Sequence, residues 1–150
     1  VESFAGHASL NAHLLVKAHP LNSAWFDWPA HIRRLTREYG LQGRLHYIDG
    51  GDLDALTAAS RGMVCVNSTS ATIALEAGIP VCALGDAIYR MPRLTHQGHI
   101  DQFWSNPLPP DRDVWDAFCR VLHDRCLVHG GLASESAVST LIEGLLARLL

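Results

Sequence analysis

Two short runs in the middle of this chain, residues 62–66 (GMVCV) and 79–84 (IPVCAL), are apolar along their whole length rather than at alternate positions. A strand with one wet face alternates. A strand that is apolar throughout is covered on both faces, as in parallel sheets flanked by helices. Between the two runs, residues 68–77 read as a helix closed by Gly78, which makes a strand–helix–strand unit.

The alternation extends in both directions. Residues 14–19 (LLVKAH) form an apolar run that stops at Pro20, a residue with no N–H to give to a central ladder. Residues 30–39 carry Ile32 and Leu35 among charges and end at Gly40, a helix stop. Residues 44–48 (RLHYI) are strand formers that halt at Asp49-Gly50-Gly51. Asp52 is placed to cap a helix reaching about Ser60, with Leu53, Leu56 and Ala59 inward. Further helices are expected over residues 100–105, over 111–128 behind Pro109-Pro110, and over 134–149. The pattern predicts an α/β fold: a single Rossmann-like domain over residues 1–150, a parallel sheet with helices on both faces. Ligands of such sheets sit at the carboxyl ends of the strands. Those ends are His19-Pro20, Asn67-Ser68-Thr69 and Gly85-Asp86.

Composition narrows the function classes. Hydrophobic residues make up 48% of the 150 and charged residues 18%, with a formal net charge of −3 and both signs interspersed. No basic stripe for nucleic acid is present. No apolar run approaches the roughly 18 residues of a membrane span, and no signal peptide is legible. The chain does not begin with Met, so we expect a piece of a longer protein with an N-terminal half of its own.

Nine histidines are many for this length, and they matter only where they converge. None of the four cysteines forms a CxxC pair. Cys65 and Cys82 lie inside the apolar runs and read as small core residues. Cys119, His123 and Cys126 could share a helix face and hold a metal. Trp115, Phe118, Cys119, Leu122 and Cys126 equally form an apolar stripe at helical spacing, and the core reading is preferred. Asp49, Asp52 and Asp54 are explained as turn and cap, without calcium. No metal is therefore expected. No catalytic triad, HExxH, Walker A or GxGxxG pattern is present, and no general base with a partner stands out.

What remains is binding chemistry. After the strand at residues 62–66 come Asn67, Ser68, Thr69 and Ser70, at the entry of a helix. Hydroxyls, amide N–H groups and the positive end of the helix dipole suit a phosphate or carboxylate there. Plain N-capping needs only one hydroxyl. His19 at a strand end can donate to a phosphate oxygen, and Pro20 stiffens the turn beside it. The irregular stretch 84–98 follows a strand and holds Tyr89, Arg90, Arg93, Thr95, His96 and Gln97, which either read an acidic sugar or form a solvated loop. Glu76 on the following helix could accept from two ribose hydroxyls, or be an ordinary exposed helix residue.

VKAHPLNSAWFDW, YIDGGDLDAL, VCVNSTSATIALEAGIPVCALGDAIYRMPRLTHQG and IDQFWSNPLPPD, taken together and in order, resemble the capsule polysaccharide biosynthesis/export family. Its members include the paired β-Kdo transferases that build lipid-linked capsule primers. The resemblance runs from about Leu14 to Asp111 and is most specific from Asn67 to Gly98. It implies the C-terminal domain of a GT-B glycosyltransferase, holding CMP-Kdo as donor and needing no cofactor. By that likeness His19 contacts the CMP phosphate, and Asn67, Ser68 and Thr69 bind phosphate or the Kdo carboxylate. Tyr89, Thr95 and Gln97 line the donor pocket, while Glu76 fits the general GT-B ribose pattern better than it fits this family. The catalytic residue would come from the N-terminal domain, leaving this piece inactive alone. The implied partners are a nucleotide sugar, a lipid-linked saccharide acceptor, the missing N-terminal domain and capsule assembly proteins. The implied setting is cytoplasmic, with any attachment at the inner membrane made through partners. Two other readings stand beside this one: a non-catalytic glycan- or partner-binding domain in capsule export, and a flavodoxin-like module unrelated to sugars.

Overall fold

The structure is a computed structural model that describes residues 1–19 and 25–149. It divides into two compact units, Val1–Asp111 and Arg112–Leu150.

The first unit holds all four strands, in two parallel pairs. β1 (Leu14–Lys17) pairs with β2 (Leu45–Ile48) in the register Leu14↔Leu45 to Lys17↔Ile48. β3 (Met63–Cys65) pairs with β4 (Val81–Ala83), Val64 opposite Cys82. All the expected strands are present and all pairings are parallel. The expected single sheet is not what forms: among the described residues the ladders are two separate two-stranded sheets. With only three or four residues per strand, each ladder closes with its sequence-adjacent partner and goes no further.

An N-terminal helix, α1 (Glu2–His7), precedes these elements and was not expected from its sequence, ESFAGH. Phe4, its one buried residue, joins Ile32, Leu41 and Leu45 in a core against which Leu14, Val16 and Tyr47 pack. α2 (Trp28–Glu38) links β1 to β2. Asp27 caps it by accepting from the Ala30 amide at 2.8 Å, and Pro29 stands in its first turn. α3 (Leu53–Ala58) is capped as expected by Asp52, which accepts from the Asp54 and Ala55 amides at 2.9 and 3.3 Å. The helix stops at Ala58, so Thr57 is the residue it buries and Ala59 is exposed.

α4 (Ala71–Glu76) joins β3 to β4 and turns into β4 through Gly78, whose φ of 72° is the left-handed region that a side chain rarely adopts. Ala71, Ala74, Leu75, Val81, Cys82 and Ala83 are buried. Cys65, expected as a core residue, is only half-buried. α5 (Ile100–Ser105) packs on α1: the Phe4 and Trp104 rings meet edge-on at 5.2 Å, and the Trp104 indole N–H donates to Ser3 Oγ at 2.7 Å.

The second unit consists of α6 (Arg112–Arg125) and α7 (Glu135–Leu149). Trp115 is buried and Phe118, Cys119 and Leu122 are half-buried, but Cys126 is exposed, which corrects its place in the apolar stripe. α6 ends at Arg125 and Cys126 follows it, its amide still bonded to Leu122 O. No helix among the described residues is long and apolar enough to cross a membrane.

Candidate functional site at the carboxyl ends of β3 and β4

β3 and β4 run side by side past their last paired residues. The Leu84 amide donates to Cys65 O at 2.8 Å and the Gly85 amide to Val66 O at 2.9 Å. A side chain at Gly85 would bring its Cβ within 2.9 Å of Val66 Cγ1 and 3.3 Å of Val66 O, so Val66 would have to shift to admit one.

Residues 68–70 are a tight turn rather than the first turn of the helix. The helix expected from Ser68 begins at Ala71 and is six residues long. Ser70 occupies the N-cap with a helical backbone and makes no side-chain cap bond. Ser68 does the capping work instead. Its Oγ accepts from the Ser70 amide at 3.2 Å and its carbonyl accepts from the Ala71 amide at 3.1 Å. The Thr72 and Ile73 amides bond to Thr69 O and Ser70 O. The four amides from Ser70 to Ile73 are thus spent inside the turn. A ligand here would meet side chains, those of exposed Asn67 and Thr69 and half-buried Ser70, more than a row of open helix N–H groups.

Tyr89 fixes this turn from beneath. Its side chain is 2% exposed and its hydroxyl donates to Ser68 O at 2.6 Å, with Cys65 Sγ 3.4 Å away. Burial, and then the Cys65 hydrogen bond, push the phenol well above its ordinary range, so the group stays a proton donor. Burial likewise raises the Cys82 thiol and keeps it neutral.

Beyond β4 the chain returns to the pair, the His96 amide donating to Val81 O at 2.8 Å. Thr95 is buried, and the Gln97 side-chain amide folds back onto it, 3.0 Å from its Oγ1 and 2.8 Å from its carbonyl. Arg93 has a φ of 71° and is held on both sides by Asp111, through an ion pair and through the Asp111 amide on its carbonyl.

The predicted residues are therefore brought together in part. Ser68 and Tyr89 touch, as do Thr95 and Gln97, and Asn67, Thr69 and Ser70 share the turn with Ser68. Glu76 is exposed at the far end of α4, six residues from the turn. His19 is exposed two residues past the end of β1, in the other strand pair. Pro20 lies outside the described residues. Among the described residues no group of three or more His, Cys, Asp or Glu could hold a metal ion.

The sequence reading missed the convergence of histidines. His13 and His46 stand 3.0 Å apart, nitrogen to nitrogen, and His7 and His99 both reach Asp101. A count of nine was visible, but His13 and His46 lie 33 residues apart and no local pattern joins them.

Residues 1–132 match the family model described as "Capsule polysaccharide biosynthesis protein". The capsule polysaccharide modification protein LipB of Neisseria meningitidis serogroup A is 35% identical over 124 residues, covering 82% of this chain and 29% of LipB. The capsule polysaccharide export protein KpsS of Escherichia coli is 33% identical over 116 residues, covering 77% of this chain and 30% of KpsS. The chain thus spans less than a third of the length of either relative. No solved structure matches it. With most of its length aligned to both the family model and these relatives, the chain belongs to the capsule polysaccharide biosynthesis protein family.

Proposed function

We propose that this chain is the donor-binding domain of a capsule glycosyltransferase, the C-terminal half of a GT-B fold that holds CMP-Kdo while Kdo passes to a lipid-linked primer. The observation that carries the reading is the Asn67–Ser70 turn, set at the carboxyl end of a parallel strand and held in shape by a buried phenol. Ligands of α/β folds gather at that edge. Membership in a capsule biosynthesis family supports an activated sugar as the ligand.

In this reading the hydroxyls of the turn and the Asn67 side-chain amide bind the donor's phosphate or carboxylate, and His19 donates to the phosphate as CMP leaves. Donors preset toward developing charge contribute about 2.7–4 kcal/mol each in enzymes where this has been measured. Thr95 and Gln97 flank the sugar, and Glu76 is the ribose candidate. The rest of the protein supplies the catalytic residue and the acceptor site, in the cytoplasm, and other capsule assembly proteins take the product. Calorimetric titration of the intact protein with CMP and CMP-Kdo tests this. Ser68→Ala is expected to weaken CMP binding by about 1–3 kcal/mol, through loss of a charge-assisted bond and of the turn's own cap. His19→Ala should weaken it as well. Unchanged affinity removes the substituted residue from the site, and an intact protein that binds neither nucleotide ends the reading. Transfer by residues 1–150 alone would contradict the half-enzyme assignment.

The name of the relative KpsS, an export protein, favours a second reading: a non-catalytic domain that binds the glycan or a partner during export. Oligosaccharide binding without nucleotide binding would distinguish it.

A further inference from the structure

The two strand pairs leave one side-chain cluster that the nucleotide reading does not use. β1 and β2 are in register with Leu15 opposite His46, and His13 lies two residues before Leu15. Side chains two apart on a strand share a face. His13, Leu15 and His46 therefore stand together on one face of the pair. The other face, with Leu14, Val16, Leu45 and Tyr47, packs into the core around Phe4. The first face is open: His13 and His46 are exposed and Leu15 is 42% exposed.

On that face His13 Nδ1 and His46 Nε2 are 3.0 Å apart, with the ring planes within 12° and the centroids 5.3 Å apart. A five-membered ring places each nitrogen a little over an ångström from its centroid, so the two nitrogens face each other along the centroid line. Without an ion this is a nitrogen–nitrogen hydrogen bond whose donor is set by the tautomer. The separation also matches the bite of a chelated ion. With metal–nitrogen bonds of about 2.0–2.1 Å, two ligands at a right angle are about 2.9 Å apart, and two at the tetrahedral angle about 3.4 Å apart. The observed gap is a hydrogen-bond length that changes once the rings turn; it shows that both nitrogens lie within reach of one ion, and the general affinity order of such nitrogen sites then places Cu(II) ahead of Zn(II).

From this proximity we infer that His13 and His46 form a two-nitrogen chelate for a divalent transition-metal ion, Cu(II) before Zn(II), on the open face of the β1–β2 pair. The parallel ladder fixes both backbones, so only the rings turn, swinging about Cβ–Cγ until their lone pairs converge. The proton that lay between the rings moves to the outer nitrogen of the ring that carried it. Each imidazole stays neutral and no proton is lost. Two protein ligands leave the remaining coordination positions to water, which agrees with the absence of a three-residue cluster among the described residues. Arg44 on the adjoining residues of β2 does not compete for the rings: its guanidinium is held by Ala12 O at 3.0 Å and Ser9 O at 2.7 Å and lies over the Phe4 ring. The ion would add a bridge between two strands already joined by their ladder, their shared core and the Arg44 bonds, so binding should stabilise the unit it spans.

The test is titration of the intact protein with Cu(II), read by calorimetry and by the electron paramagnetic resonance spectrum, in the wild type and in His13→Ala, His46→Ala and His129→Ala. The first two remove exposed side chains, and a urea unfolding curve confirms that each variant is folded. The expected result is one Cu(II) with a two-imidazole equatorial signature in the wild type and in His129→Ala. Either of the other two variants should bind at least about tenfold more weakly. The double variant should bind no more weakly than the singles, because one histidine alone does not chelate. Equal affinity in all variants, or a spectrum showing one imidazole or none, overturns the site.

Discussion

Phe4 tests whether α1 is an integral part of the fold. It is 2% exposed, sits among Ile32, Leu41 and Leu45, meets Trp104 edge-on at 5.2 Å and has the Arg44 guanidinium 5.1 Å above its ring. Truncating a buried phenylalanine to alanine costs about 3–5 kcal/mol, transfer and cavity together. The upper half of that range applies here, because the ring also loses an aromatic partner, an interaction of about 0.5–1.5 kcal/mol. A domain of this size is stable by about 5–15 kcal/mol. Phe4→Ala should therefore remove a large share of the stability of the first unit. With a urea slope of about 2 kcal/mol/M, a loss of 4 kcal/mol moves the midpoint down by about 2 M. Equilibrium urea unfolding followed by tryptophan fluorescence reads this directly, since Trp104 lies against the substituted ring. Phe4→Leu should fall between the wild type and the alanine variant. A midpoint shift under about 0.5 M for Phe4→Ala would show that α1 does not pack as described, and the reasoning would fail with it.

Asp52→Ala removes the acceptor for two amides at the start of α3 and should cost about 0.5–2 kcal/mol in the same unfolding assay; no loss would mean that the cap bonds do not form. Asp101 predicts a pH dependence. The Ser3 hydroxyl first, and then His7 and His99, hold its carboxyl below the usual carboxylate range. A depressed folded-state value contributes stability that is present above the unfolded value, about 3.9, and is lost as pH falls through the lower folded one. The stability gap between the wild type and Asp101→Asn should accordingly close in acid below about pH 4, and a gap that is constant with pH would exclude this role for the carboxylate.

The parts of this protein that were legible in its sequence are those whose cause lies within one turn of chain. GMVCV and IPVCAL announced β3 and β4 by their unbroken apolar character, which full burial explains along β4, while β3 is only half-buried. Asp52 announced the start of α3, and Gly78 the end of α4. The Asn67–Ser70 stretch was located correctly, but its internal wiring was not. Three hydroxyls after a strand suggested open helix amides, whereas Ser68 folds the stretch into a turn that uses those amides itself.

Sequence alone determined the four strands, the helices after them, their order, and the strand ends that carry the candidate binding residues, because periodicity, capping and turn chemistry act between near neighbours. Tertiary structure alone decided that the strands close as two pairs, that ESFAGH is a helix, that Tyr89 supports the turn, and that His13 meets His46. Each of these depends on partners distant in the chain: Phe4 finds Trp104, Tyr89 reaches back 21 residues to Ser68, and the two imidazoles meet across 33. No local propensity records such meetings, because they exist only once the backbone has brought the segments together.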